Sequence, residues 1–222
     1  MPVFTNWMKK ILEYVLEFLL PRSNALRDIE AMKPEDMRVV APPANTNLPP
    51  DTIALFDYQN SLVRQAIWEL KYRGNKKVAR LLANCLYEEL VEELSERKTF
   101  EMFEKPLLIP IPLSKRRERE RGFNQCELLA TELQTRDDGN FFEVGRNILV
   151  KVKDTESQTK KNRVERLKNL SGCFAVPNPK KITGRNIILL DDVVTTGATI
   201  EEARKTLARG GAKKILAVAL AH

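Results

Sequence analysis

The chain has 222 residues, 43% of them apolar and 30% charged, with a net charge of +7. These values suit one domain with an elaboration that buries a real core, and the basic balance favours anionic partners (nucleotides, polyphosphates, nucleic acid) without choosing among them. Its three cysteines, Cys85, Cys126 and Cys173, are far apart and form no C-x-x-C pair, which argues against a disulfide scaffold and a structural zinc site and for buried free thiols in a reducing cytoplasm.

Near the N-terminus, Lys9-Lys10 precedes an apolar run from Ile11 to Leu20. Glu13 and Glu17 interrupt it, and it is too short to span a bilayer. Lys9, Lys10, Glu13 and Glu17 share one face at helical spacing, so the run reads as an amphipathic helix docked on the protein body. A second helix is expected from Asn24 to Met37, ending near Pro34. Four prolines between Pro42 and Pro50 exclude regular helix or central strand and mark a linker. Residues 1–50 are therefore expected to be a helical appendage with a Pro-rich linker, and residues 51–222 the main domain.

A strand is expected over Thr52 to Tyr58, and an amphipathic helix over Leu62 to Tyr72, stopped by Gly74. A second helix should cover Val78 to Leu94. Pro106 to Pro112 reads as a short buried strand followed by a charged loop. A helix is expected from Asn124 to Leu133, a strand within Phe141 to Val152, and a long polar loop from Lys153 to Asn169. Ile187 to Leu190 reads as a strand buried on both faces. Ala198 to Arg209 is a helix closed by Gly210-Gly211, and Lys214 to Ala221 a last strand. Such alternation implies an α/β fold, with a mainly parallel sheet flanked by helices.

The densest chemistry lies between Ile187 and Ile200. A buried strand delivers Asp191 and Asp192, and a Thr/Gly-rich turn leads into a helix. Ligands of open parallel sheets bind beyond the carboxyl ends of the strands. Two adjacent acids leave a strand in different directions, and so can grip two hydroxyls of one ribose, directly or through magnesium. Gly197 permits a tight turn. The backbone N–H groups opening the helix have no intrahelical partner and favour an anion. With the hydroxyls of Thr195, Thr196 and Thr199, and with Ala198, they make a cup for a terminal phosphate. No Walker or dinucleotide-binding glycine pattern is present.

These fourteen residues resemble the 5-phosphoribosyl-1-pyrophosphate (PRPP) signature of type I phosphoribosyltransferases. The resemblance implies that the two acids meet the ribose hydroxyls and the Thr/Gly loop meets the 5-phosphate. It also implies that Ser114, Lys115 and Arg116, after the earlier strand, hold pyrophosphate. Arginine forks and lysine charges suit phosphate oxygens, whereas the plain alternative is a solvated charge run balanced by Glu118 and Glu120.

Further wording resembles the ComF family of competence-associated, phosphoribosyltransferase-like proteins. Arg119 to Gln125 reads Arg-x-Arg-Gly-Phe-Asn-Gln, and Leu70 to Gly74 reads Leu-Lys-Tyr-Arg-Gly. Thr155 to Gln158, with Arg163, Arg166 and Asn169, resembles that family's Thr-x-x-Gln…Arg-x-x-Arg-x-x-Asn loop. The resemblance runs over residues 52–221. It implies a type I phosphoribosyltransferase fold, catalytic roles for Asp191, Asp192, Arg163 and Arg166, and a mobile flap over 153–169. Arg121, Phe123, Asn124, Gln125 and Gln158 would serve the acceptor or flap side. Magnesium bound with PRPP is the cofactor expected, held through Asp191 and Asp192 by way of ribose or water. Many ComF-like chains open with a four-cysteine zinc module, but no cysteine precedes Cys85 here, so no zinc is expected.

Three functions remain open on sequence alone. One is transfer of a phosphoribosyl group from PRPP to an unnamed acceptor, chosen by a hood built around residues 52–75. Another is a competence protein that handles single-stranded DNA beside a helicase-like partner. The third is a regulator that senses PRPP. No membrane span is expected, and no feature fixes an oligomeric state.

Overall fold

Ile187-Ile188-Leu189-Leu190 is apolar at every position because its strand lies inside a sheet covered on both faces. The structure, a computed structural model, describes residues 24–45, 47–138, 140–154 and 170–222. Its strands are β1 (Thr52–Phe56), β2 (Leu107–Pro110), β3 (Glu143–Val144), β4 (Val150–Lys151), β5 (Phe174–Ala175), β6 (Ile187–Val193) and β7 (Ile215–Ala221). Five of them form a parallel sheet in the order β1-β7-β6-β2-β3, and β4 pairs antiparallel with β5.

The helices are α1 (Asn24–Ala31), α2 (Pro34–Val40), α3 (Ser61–Trp68), α4 (Lys76–Glu101), α5 (Lys115–Arg121), α6 (Gln125–Arg136) and α7 (Ala198–Arg209). A π-helical turn, Glu69–Arg73, continues α3. Strand residues alternate between two cores. Leu108, Ile188, Leu190, Leu216 and Val218 face one, with Leu82, Leu86 and Leu90 of α4 and Leu129 and Leu133 of α6. Leu107, Ile109, Ile187, Leu189, Ala217 and Ala219 face the other, with Ile200, Ala203 and Leu207 of α7.

The parallel α/β architecture expected from the alternation is present, with several local differences. The helix expected over Asn24 to Met37 is two helices. Pro34 opens the second, where a missing N–H costs nothing, and the Asp36 carboxylate accepts the backbone N–H of Lys33 at 3.2 Å. Helix α4 runs two turns past Leu94. Those turns lack an apolar stripe, but Arg97 binds Glu93, Glu101 at 3.3 Å and Asp51 at 3.1 Å. The charged segment after β2 is a short helix, not a loop, because Ser114 caps it and Gly122 closes it at φ +85°. The region 141–152 holds two short strands, and β5, unforeseen, pairs with the second. The helix expected over 9–20 lies outside the described residues.

The Pro-rich segment does not hang free. It runs beside β1, the edge strand, where a proline's missing N–H breaks no ladder. Pro43 bridges Phe56, and the N–H groups of Asp57 and Ala44 bind the carbonyls of Pro42 at 2.9 Å and Leu55 at 3.2 Å. Arg204 of α7 then holds the carbonyls of Pro50 and Asp51. No helix among the described residues is long and apolar enough to cross a membrane.

Leu26, Ile29 and Met37 of α1 and α2 are buried in the same core as α4 and β6. Met37→Ala should therefore cost about 2–4 kcal/mol. Urea unfolding should show a lower midpoint with an unchanged slope, as expected if these helices unfold together with the sheet.

Candidate functional site

The carboxyl end of β6 places two acids in the protein interior. Asp191 Oδ1 accepts the backbone N–H of Asp192 at 2.8 Å and lies 3.8 Å from the Sγ of Cys126 on α6. Asp192 Oδ1 is 3.1 Å from the Nζ of Lys71, and the two side chains are 6% and 21% exposed. The other oxygen, Asp192 Oδ2, is buried with no hydrogen-bond partner among the described residues. The two acids were expected to point apart, yet one ligand atom from each, with Cys126 Sγ, falls within a cluster 4.8 Å across. The bond from the Asp192 N–H to the Asp191 carboxylate draws Asp191 back toward its neighbour.

The protonation states follow from burial and charge. Burial first, and then the adjacent Asp192 carboxylate, raise Asp191 from the usual carboxylate range to about 7. Burial alone would lower Lys71, but Asp192 and then Asp191 outweigh it and hold the ammonium above its ordinary value. Burial, reinforced by both carboxylates, pushes Cys126 well up, so the thiol keeps its proton and donates to Asp191. The cluster therefore offers carboxylate oxygens and no thiolate, a donor set for a hard cation or for hydroxyls.

Beyond the acids, the chain turns into α7 through Gly197, whose φ is +73°. Among the described residues no side chain caps this helix, so its first N–H groups are open to an anion there. Thr195 is exposed, Thr196 and Thr199 are half-buried, and Ala198 is buried. A Cβ on Gly197 would lie 2.5 Å from Pro49 Cγ, so the linker packs directly on the turn.

The second motif follows β2 and leads into α6. Lys115 and Arg116 are exposed on the opening turn of α5. Ser114 is buried, and its hydroxyl accepts the N–H of Arg117 at 3.4 Å. Asn124 ties the end of β2 to α6: its amide donates to the Ile111 carbonyl at 3.0 Å, and its oxygen accepts the N–H of Cys126 at 2.9 Å. Arg121 lies over the Tyr72 ring at 5.2 Å and donates to buried Gln125. Phe123 packs on Gly74, which adopts φ +58° at the end of the π turn. Tyr72 neighbours Trp68 at 5.6 Å between ring centroids, and Arg73 lies 4.9 Å over Trp68.

Asp191, Asp192 and the 195–199 turn are thus contiguous, and Arg121, Phe123, Asn124 and Gln125 are drawn toward them through Cys126 and Tyr72. Gln158, Arg163 and Arg166 lie outside the described residues. Sequence reasoning missed Lys71 and Cys126. The signal for Lys71 was the acid pair itself, which could not be buried without a nearby cation. It also missed Lys151, at the root of the expected flap, 5.6 Å from the Phe174 ring. Burial, and then Arg117 among its charged neighbours, lower that ammonium.

Residues 120–222 match the family model for the phosphoribosyl transferase domain. The competence protein ComFC of Bacillus subtilis is 34% identical over 152 residues, covering 68% of this chain and 56% of that protein. Competence protein F of Haemophilus influenzae is 31% identical, covering 70% of this chain and 66% of that protein. The DNA utilization protein YhgH of Escherichia coli K12 is 30% identical, covering 67% of this chain and 62% of that protein. The chain thus spans less than two thirds of the length of these relatives. Among solved structures, a Trypanosoma cruzi hypoxanthine phosphoribosyl transferase aligns with a TM-score of 0.41 at 12% identity, covering 65% of this chain and 64% of that one. A Leishmania donovani hypoxanthine-guanine phosphoribosyl transferase aligns at 0.39 and 13%, covering 64% and 67%.

Two predictions follow from the ion pair and its neighbour. Lys71→Met leaves buried carboxylates without a counter-charge and should cost about 3 kcal/mol, the low end for a buried pair because Lys71 is partly exposed. Adding Asp192→Asn should restore more than half of that loss, and strictly additive losses in denaturant unfolding would show that the pair is not coupled. Asp191, with its folded-state value raised, keeps a proton that the unfolded chain gives up near pH 4. Without ligand or magnesium its contribution to stability is therefore full below about pH 4 and lost as the pH rises to about 7. Asp191→Asn should flatten that part of the melting profile.

Proposed function

Because the chain belongs to the ComF family, whose phosphoribosyltransferase-type domain it carries, we propose that it binds magnesium–PRPP and transfers the phosphoribosyl group to a nucleophilic acceptor. The observation that carries this reading is the buried Asp192 Oδ2, a carboxylate oxygen with no partner among the described residues beside an uncapped helix. A buried polar atom without a partner costs on the order of 1–3 kcal/mol, and a ribose hydroxyl or a hydrated magnesium ion relieves that cost.

In this reading the two carboxylates accept from the ribose hydroxyls. The turn Thr195-Thr196-Gly197-Ala198-Thr199 receives the 5-phosphate on open N–H groups and threonine hydroxyls. Asp191 and Asp192 would supply oxygens for magnesium, whose positive charge would offset the negative charge of the pyrophosphate. Lys115 and Arg116 serve the pyrophosphate in this reading, and Arg163 and Arg166, to which the ComF resemblance gives a catalytic role, lie outside the described residues. The C1–oxygen bond to pyrophosphate breaks, the leaving group takes the electron pair, and the acceptor forms the new bond at C1 and releases a proton. Catalysis is by positioning and electrostatics, and no covalent nucleophile of the protein is invoked.

The printed names of the relatives, a competence protein and a DNA utilization protein, suit a second reading in which the same fold handles DNA; that the DNA is single-stranded and the partner helicase-like is what the ComF resemblance implies. The exposed cations of α5 supply a non-specific electrostatic footing for it. Calorimetry separates the two. PRPP with magnesium should bind, and Asp191→Asn/Asp192→Asn should weaken binding at least a hundredfold, with pyrophosphate released on turnover. Unchanged PRPP affinity in that variant would reject the proposal, and tight, salt-steep DNA binding indifferent to PRPP would favour the second reading.

A further inference from the structure

The Thr195–Thr199 turn has a neighbour that its own stretch of sequence does not contain. Pro49 Cγ lies 2.5 Å from where a Cβ on Gly197 would stand, so the proline ring fills the space that this glycine leaves open. Leu48, just before it, packs into the core that also holds Ile200, Ala203 and Leu207 of α7. The residues just after it are clamped from two helices. Arg204 of α7 donates to the Pro50 carbonyl at 2.6 Å, to the Asp51 carbonyl, and to the Thr52 hydroxyl at 3.1 Å. Arg97 of α4 meets the Asp51 carboxylate at 3.1 Å, and the Asp51 carbonyl also accepts the N–H of Ala217 on β7 at 2.9 Å.

These contacts make a short strut rather than a slack connection. Two successive proline rings fix their own φ, so little freedom is left between Pro49 and the clamp. Asp51 adopts φ +50°, a left-handed backbone that a residue other than glycine holds only at a cost. The two guanidiniums and the Ala217 N–H keep it there. Helix α7 therefore meets the strut at two points, at Gly197 before its first turn and at Arg204 about two turns further on. We propose that Pro49 is a positioning residue for the Thr195–Thr199 turn: the strut Pro49–Asp51, pinned by Arg204 and Arg97, holds the turn at Gly197 in the form that receives a terminal phosphate. The inference rests on the PRPP reading above, in which this turn takes the 5-phosphate, and adds to it a residue that lies outside the signature stretch. Without the proline ring the turn must order itself as the phosphate arrives, and that ordering is subtracted from the affinity. Lys115 and Arg116 lie on α5, a different element, so affinity for pyrophosphate does not depend on the strut.

The test separates the two ends of the ligand. Ribose 5-phosphate and magnesium pyrophosphate are titrated separately by calorimetry into the full chain and into Pro49→Ala. Ribose 5-phosphate should bind the variant about three- to tenfold more weakly, while magnesium pyrophosphate stays within about twofold of the parent. With PRPP, KM should rise by a similar factor and kcat stay within about twofold, the pattern of lost uniform binding. Amide exchange should quicken over residues 195–199 and not in β6 or β7, which a general loss of stability would not produce. Gly197→Ala sets a methyl group against the proline ring, and adding Pro49→Ala should recover part of its loss of ribose 5-phosphate affinity, as expected for residues in contact. Unchanged ribose 5-phosphate affinity in Pro49→Ala, or an equal loss for both ligands, overturns the inference and leaves the PRPP reading intact. If Pro49→Ala fails to fold, Arg204→Lys, which keeps the charge and loses the fork, decides by the same two titrations. If ribose 5-phosphate binding depends on Pro49 but PRPP is not turned over, the positioning role stands and the transferase reading falls. A parent chain that binds no ribose 5-phosphate overturns both.

Discussion

The physical constraint behind this site is the burial of two adjacent carboxylates at the end of a central strand. Apolar positions of β6 and its neighbours form both cores, so the strand cannot shift to expose its acids without emptying them. The cost must be met locally. Lys71 neutralises Asp192, the backbone and Cys126 donate to Asp191, and Asp191 rises toward a neutral form. Even so, one oxygen stays without a partner among the described residues. Such an arrangement is costly for stability alone, and donors or a cation placed at that oxygen would relieve the part of the cost that the protein leaves unmet.

The same constraint explains why two distant segments clasp each other. Lys71 must reach Asp192, so the turn after α3 is drawn against the end of β6. Once there, Lys71 meets Asp192, and Tyr72 and Gly74 meet residues of the 121–126 segment. Tyr72 lies under Arg121 and Gly74 under Phe123, while Asn124 fixes Cys126 beneath Asp191. A Cβ on Gly74 would lie 3.0 Å from the Phe123 ring, and its φ is positive. That position therefore admits only glycine without strain. The motif residues are first a mechanical joint, and the site's shape follows from how that joint closes.

Most of the sheet was legible because strands buried on both faces read as unbroken apolar runs, as in Ile187 to Leu190 and Ile215 to Ala221. Helix α7 was legible to the residue, since Gly197 and Gly210 bracket an amphipathic period. What escaped had no periodic signal. Arg-rich α5 has no apolar face to betray a helix, and only the Ser114 cap and the Gly122 stop define it. The two-residue strands β4 and β5 are too short to alternate. The acids, the Thr/Gly turn and the basic segment each lie in one continuous stretch, so the sequence brings their residue types together before any fold is known. Lys71 and Cys126 were not legible, because each meets an acid only across a long chain separation, 65 residues for Cys126 and Asp191, and pairing at that range is a property of the fold.

The segment before β1 bears on the Thr195–Thr199 turn in a way that its prolines concealed. Those prolines exclude a central strand, which holds, but they do not make the segment a passive tether. Pro49 sits against Gly197, and Arg204 of the same helix grips the carbonyls of Pro50 and Asp51. Gly197 is thus constrained twice, by its left-handed backbone and by the ring packed on it. Since β1 pairs with β7, and β7 with β6, the turn's two sides are fixed to one sheet, one through Pro49 and the edge strand, the other through β6. The N–H groups that open α7 are therefore held in place by the fold itself. Electrostatic binding of this kind depends on such fixed dipoles, because a turn that had to order itself on binding would forfeit much of the attraction in lost entropy.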